Sequence, residues 1–213
     1  MAWLTAKIYD RFMREEEEVC LSAWRSALLA SVAGEVLEIG AGTGVNLQYY
    51  PAAAEHIVLS EPDPHMRRIL SRRLAATPAP PNCSVVAEDS QALSFADTTF
   101  DAVVCTFVLC SVRDVRQSLG EAFRVLRPGG RLVFLEHVAD REHPRRLRWQ
   151  RFVEPFWRCI ADNCHLTRDT AASIELAGFE LLDLIRETVP VGPRFASPTV
   201  RGAARKPGAR GSR

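Results

Sequence analysis

Val36-Leu37-Glu38-Ile39-Gly40-Ala41-Gly42-Thr43-Gly44-Val45-Asn46 decides the fold: an apolar strand runs straight into glycines, and the glycines into a short helix. Glycine lets the backbone turn sharply and come close to a ligand. A dinucleotide fingerprint would set a small residue where Val45 stands and deliver a negative pyrophosphate to the helix start. Val45 breaks that pattern. Glu38, at the end of the strand, would repel a pyrophosphate but suits a ligand carrying an ammonium group. The turn therefore points to a cationic nucleotide.

Glu61 follows the next apolar strand, where an acidic residue takes the ribose hydroxyls in folds of this kind. A ligand with both a ribose and positive charge is S-adenosylmethionine, which carries a sulfonium and an ammonium; NAD meets only the first demand. The expected cofactor site comprises Glu38, Gly40, Ala41, Gly42, Gly44, Asn46 and Glu61, with Thr106 at the end of a later strand. No metal ligand is assigned.

Working outward, the pattern predicts a helix over 13–33, strands at 35–39, 56–60, 83–87, 101–106 and 132–136, and helices over 64–76 and 114–126. Repeated βα units require crossovers and hence a parallel sheet covered on both faces. The expected fold class is α/β, a doubly wound, mostly parallel seven-stranded sheet of Rossmann-like type. Trp149, Phe152, Val153, Phe156, Trp157 and Ile160 form a continuous apolar stripe at helical spacing, read as a lid helix roofing an apolar acceptor pocket. A further helix over 167–177 stops at Gly178, and strands at 179–189 and 199–203 close the sheet. The expected organisation is a helical segment (1–33), one catalytic domain (34–204, lid at about 144–177) and a disordered tail (205–213).

The 213 residues are 47% hydrophobic and 25% charged, with Lys+Arg 27 against Asp+Glu 26 and a net charge of +1. That balance excludes a strongly basic nucleic-acid binder. The longest uncharged apolar run, 102–112, is 11 residues, too short to cross a bilayer. The first residues lack the basic start and apolar core of a secretory signal, so a cytoplasmic location is expected. Six cysteines without a CxxC pair suggest reduced thiols rather than disulfides or a zinc ribbon, and most lie in apolar runs as small buried hydrophobes.

The segment Glu88-Asp89-Ser90-Gln91-Ala92-Leu93-Ser94-Phe95 resembles the GDAxxLPF stretch of small-molecule methyltransferases, which implies that Asp89 receives the adenine amino group and adds Asp89 and Ser90 to the expected cofactor site. Arg127-Pro128-Gly129-Gly130 resembles their LRPGG turn. From about residue 8 to 204 the chain resembles a class I S-adenosylmethionine-dependent methyltransferase. A narrower resemblance rests on Val103-Val104-Cys105-Thr106-Phe107-Val108-Leu109-Cys110-Ser111-Val112, on Glu136-His137-Val138 and on Asn163-Cys164-His165-Leu166-Thr167-Arg168. These are similar to the VCTLVLCSV, EHV and GCNLTR segments of the methyltransferase-like thiol S-methyltransferases, and Ile8-Tyr9 matches their pre-core helix. Asn163 and His165 depart from that pattern. So do the first residues, which lack the hydrophobic anchor of those membrane enzymes.

The resemblance implies methylation of a small, apolar acceptor, a thiol in the first instance. A thiolate needs orientation and desolvation more than a base. An oxygen or carbon acceptor on a quinone, lipid or natural product needs one, and His137 at a strand end is the candidate base or orienter. A cofactor-binding scaffold without turnover is the reading outside enzymes. Tyr9, Cys110, Trp149, Trp157 and His165 are the acceptor-site candidates. Arginines flanking the lid stripe (145, 146, 148, 151, 158) would also suit weak contact with an anionic membrane surface. The sequence does not indicate an oligomeric state.

Overall fold

A computed structural model of the chain describes residues 16–76 and 82–208, so Tyr9 and the tail beyond 208 lie outside the described residues. Seven strands make one sheet: β1 (Gly34–Ile39), β2 (Ala54–Ser60), β3 (Cys83–Val86), β4 (Phe100–Thr106), β5 (Leu126–His137), β6 (Glu180–Thr188) and β7 (Pro198–Arg205). Their order is β3-β2-β1-β4-β5-β7-β6. The first five are parallel, and β7 inserts antiparallel between β5 and β6. This is the expected mostly parallel doubly wound sheet. The order reverses between β1 and β4, the point at which such sheets open a crevice at their carboxyl ends.

Both faces of the central strands are buried. Leu37, Ile39, Val103, Cys105, Leu132 and Phe134 face one core, while Val36, Ile57, Leu59, Val104 and Val133 face the other. That two-sided burial is why these strands read as continuous apolar runs rather than alternating ones. A π-helical turn (Glu17–Leu21) leads into α1 (Ser22–Leu29), the glycine turn into a 3-10 turn (Val45–Tyr49), and then follow α2 (Pro64–Ala76), α3 (Val115–Val125), α4 (Pro144–Ile160) and α5 (Thr170–Leu176).

Three expectations are corrected. The first concerns α4, where only Val153 and Trp157 of the six stripe residues turn inward: Trp149, Phe152, Phe156 and Ile160 are 52 to 73% exposed. The helix is turned by Gln150, which is fully buried; its amide donates to the Val138 and Phe195 carbonyls at 3.0 and 3.1 Å and its oxygen accepts from Asp140 N at 2.9 Å. Val153 and Trp157 share that inner face. Secondly, the last helix starts at Thr170 rather than 167, because Asp169 caps it by accepting from Ala172 N.

The third correction is at the end of the chain. Arg205 is part of β7, and Lys206 Nζ donates to the Phe123 and Leu126 carbonyls, both at 2.7 Å. An ammonium there meets the unpaired carbonyls at the end of α3, so the tail's order extends past the expected boundary.

Candidate active site

The glycine turn is bound to β2 through Glu61. Its carboxylate accepts from Gly42 N and from Asp63 N, both at 2.8 Å, and burial pushes its pKa up. Gly40 and Gly42 both hold positive φ, +64° and +56°. Their missing side chains do different things. A Cβ on Gly40 would stand 2.5 Å from Val108 of the loop after β4, so that glycine is a packing requirement. A Cβ on Gly42 would meet only Met66 Sδ at 3.9 Å, leaving open space beside Glu61 for a ligand to approach the backbone. Asp89 is exposed after β3 with Oδ1 accepting from Gln91 N, while Ser90 is buried against the Ser118 hydroxyl at 2.9 Å.

Glu38 is nearly fully buried, and its two oxygens are engaged by Asn46 Nδ2 at 2.9 Å and the Tyr50 hydroxyl at 2.7 Å. Burial pushes its pKa up to about 7 against those two hydrogen bonds and the nearby Arg25. Arg25, 4% exposed, donates to Asn46 Oδ1 at 2.8 Å and to the Thr106 hydroxyl at 2.9 Å, and pairs with Glu17 at 3.1 Å. One polar network thus ties the N-terminal helix to the ends of β1 and β4. Sequence reading placed Glu38, Asn46 and Thr106 here but missed Arg25 and Tyr50. The available signal was a lone charge between Leu21 and Leu29 at helical spacing, on a face that is otherwise apolar.

The second part of the site lies beyond β4 and β5. Glu136 is fully buried and its carboxylate accepts from three successive backbone N–H groups: Val108 at 3.0 Å, Leu109 at 2.9 Å and Cys110 at 3.0 Å. Arg168 grips the same loop from the other side, donating to the Leu109 and Val112 carbonyls at 2.5 and 2.6 Å. Asn163 Nδ2 donates to Ser111 O at 2.7 Å and His165 N to Cys110 O at 2.8 Å. The 163–168 segment is therefore stapled over the 107–112 loop.

That staple brings Cys110, Cys164 and His137 together. Cys110 Sγ lies 3.7 Å from Cys164 Sγ, and His137 Nδ1 is 3.5 Å from Cys164 Sγ and 3.9 Å from Cys110 Sγ. Burial pulls the His137 pKa down, but the hydrogen bond and charge of Cys110, with Glu136 behind, raise it on balance. Cys110 is pushed up, first by its hydrogen bond with Cys164 and then by burial. Phe107 packs on the His137 ring with centroids 4.6 Å apart. Of the acceptor-site candidates, Cys110 and Trp157 join this cluster, His165 sits beside it with Nδ1 3.5 Å from Glu154, and Trp149 stands apart on the outer face of α4.

Residues 37–134 match the family model described as a methyltransferase domain. Thiol S-methyltransferase TMT1B of Rattus norvegicus is 37% identical over 207 residues, covering 94% of this chain and 84% of its own length. Thiol S-methyltransferase TMT1A of Homo sapiens is 33% identical over 200 residues, covering 93% and 82%. Demethylmenaquinone methyltransferase of Thermobifida fusca is 34% identical over 167 residues, covering 73% and 70%. Among solved structures, the [4+2]-cyclase SpnF superposes with a TM-score of 0.70 at 19% identity, over 88% of this chain and 80% of its own. A SAM-dependent methyltransferase of Methanosarcina mazei superposes with a TM-score of 0.65 at 19% identity, over 84% and 94%. At those identities the structural likeness speaks for the fold.

Proposed function

Since the chain belongs to the thiol S-methyltransferase family of TMT1A and TMT1B and is an S-adenosylmethionine-dependent methyltransferase, we propose that its acceptor is the sulfur of a small apolar thiol. The observation that carries this reading is the convergence of Cys110, His137 and Cys164 within an apolar cluster, beside a loop whose Val108 packs directly on Gly40. The three sequence segments that resemble the thiol-methylating family are the three that meet there.

S-adenosylmethionine supplies an electrophilic methyl group on a sulfonium. The open backbone at Gly42 and the carboxylate of Glu61 suit the ribose, Asp89 and Ser90 the adenine, and the Glu38, Asn46 and Thr106 network the amino-acid end. Glu38 acts there through Asn46 and Tyr50, which occupy its oxygens. On the acceptor side, Glu136 and Arg168 fix the loop, and Trp157, Phe195 and Val153 exclude water around the thiols. Orientation and desolvation are what a thiolate nucleophile needs. Methylation of a quinone oxygen or carbon, as the name of the Thermobifida fusca relative would suggest, needs His137 as a free base. Its Nδ1 faces two thiols, so such an acceptor would have to be served by Nε2.

A screen with labelled S-adenosylmethionine tests the reading. Alkyl or aryl thiols are expected to take the methyl group in preference to phenols and quinones. Robust methylation of a phenol or quinone, with no thiol turned over, would overturn the sulfur assignment. For the cofactor side, Glu61→Ala removes charge-assisted hydrogen bonds and is expected to weaken S-adenosylmethionine binding by roughly tenfold to a hundredfold. Unchanged affinity in calorimetry on the folded variant would remove Glu61 from the ribose.

A further inference from the structure

We propose that Cys110, Cys164 and His137 form a three-ligand site for a borderline-soft divalent cation, zinc in the first instance, whose fourth position takes the acceptor thiol as its thiolate. The donor triangle carries the argument. Bond lengths of about 2.3 Å to sulfur and about 2.0–2.1 Å to nitrogen in a tetrahedral zinc site put the two sulfurs about 3.8 Å apart and each sulfur about 3.6 Å from the nitrogen. The observed separations are 3.7 Å between the sulfurs, and 3.5 and 3.9 Å from each sulfur to His137 Nδ1. All three edges lie within about 0.3 Å of the requirement, inside the tolerance of real sites once bond lengths vary by about 0.2 Å. A disulfide would need the sulfurs to close to about 2.05 Å, and it would have no use for the imidazole.

The chemistry of the donors agrees. Two thiolates and an imidazole select a borderline-soft ion rather than calcium or magnesium. Two thiolates also neutralise a divalent charge, which removes most of the cost of placing it among Leu166, Ala196, Val153 and Phe195. The ligands are held from behind: Cys110 N donates to Glu136, Cys110 O accepts from His165 N, and Cys164 N donates to Ala161 O at 2.9 Å. These bonds fix the backbone from which both sulfurs project. Among the described residues no fourth His, Cys, Asp or Glu completes the set. Three protein ligands with one open place is the arrangement of catalytic rather than structural zinc.

Metal entry displaces the two Cys protons to solvent, and a thiol RSH entering the fourth position displaces the bound water and releases its own proton, leaving RS⁻ on the metal. Arg168, close enough to interact electrostatically with both cysteines, offsets the negative charge this adds. A free thiol with a pKa near ~8.5 is only a few per cent thiolate at neutral pH, so holding it as thiolate addresses the main deficit of the acceptor. This second role rests on the proposed thiol acceptor; the metal site itself does not.

The test uses the full chain, reduced and stripped with chelator, titrated with Co²⁺. One equivalent is expected to bind with a near-ultraviolet thiolate-to-cobalt absorption and the strong visible bands of a tetrahedral ion, and Zn²⁺ should displace it. Cys110→Ser and Cys164→Ser, shown folded by circular dichroism, should each bind at least about a hundredfold more weakly. Cys159→Ser, on the exposed cysteine outside the cluster, should bind as wild type. Adding an alkyl thiol to the cobalt protein should intensify the thiolate band. No thiolate band in the reduced wild type, or a band that survives in both cysteine variants, overturns the site; a band indifferent to added thiol overturns its role toward the acceptor. If the cobalt spectrum responds to thiol but no thiol is ever methylated, the acceptor reading has failed and the metal site stands.

Discussion

Glu136→Ala is expected to destabilise the fold by about 3–6 kcal/mol, the sum of stranding three buried N–H groups at about 1–3 kcal/mol each with partial relaxation. The carboxylate is fully buried, and of its partners Leu109 and Cys110 are buried and Val108 half-buried. Against a typical domain stability of about 5–15 kcal/mol, the alanine variant sits close to unfolding, so Glu136→Gln is the informative partner. In the wild type one oxygen serves both Val108 and Leu109 and the other serves Cys110. A glutamine keeps the first oxygen and turns an NH₂ toward the Cys110 N–H. Its expected cost is about 1–3 kcal/mol, concentrated at Cys110. Urea denaturation measures the stability. Because a shift of about 1 Å at a reacting group can cost about a hundredfold in rate, thiol turnover should fall by roughly tenfold to a hundredfold in the glutamine variant. S-adenosylmethionine affinity should change far less, since the glutamine keeps the oxygen that holds Val108, the loop residue packed on Gly40. Equal losses on both sides would show that Glu136 supports the whole sheet edge rather than the acceptor loop.

The second large effect is a pH dependence of stability carried by Glu38. Burial raises its folded pKa to about 7, whereas an unfolded glutamate titrates near ~4.3. Between these values the folded chain holds a proton that the unfolded chain has released. Stability therefore falls as pH rises, by about 1.4 kcal/mol per unit, and levels off above about 7. Summed over the window the contribution approaches about 3.7 kcal/mol, all of it present below the unfolded pKa. Glu38→Gln removes the titrating group while keeping an acceptor for Asn46, and Tyr50 can rotate its hydroxyl to meet the amide. Denaturation of both proteins from pH 4.5 to 8 isolates the contribution of Glu38 as the difference between two curves. Wild type should lose stability relative to Glu38→Gln across the window, and parallel curves would contradict a protonated Glu38.

Much of the fold was legible because it rests on local signals. The helix at Pro64–Ala76 has the expected bounds, and β1, β2, β3 and β4 differ from the expected strands by at most two residues at either end. Each combines a run of apolar residues with a turn or proline that fixes its limits. The exposed face of α4 was not legible, since Trp149, Phe152 and Phe156 sit on the stripe that hydropathy would bury. Gln150 reversed that choice by finding two carbonyls and an N–H at positions 138, 195 and 140, and no periodicity in a 17-residue helix contains that information.

The sequence by itself determined the doubly wound sheet, the glycine turn with Glu38 and Glu61 at adjacent strand ends, and the class of cofactor that such a turn serves. These follow from residues close together in the chain, where backbone geometry leaves few alternatives. Only the tertiary structure decided which cysteines meet. Cys105 and Cys110 are five residues apart and yet diverge, because Cys105 points into the sheet core while Cys110 stands on the loop beyond it. Cys110 and Cys164, 54 residues apart, come within 3.7 Å because Glu136 and Arg168 hold one loop from both sides and Asn163 and His165 lay the second segment across it. Hydrogen bonds between segments distant in sequence make that meeting, and composition and spacing are silent about them.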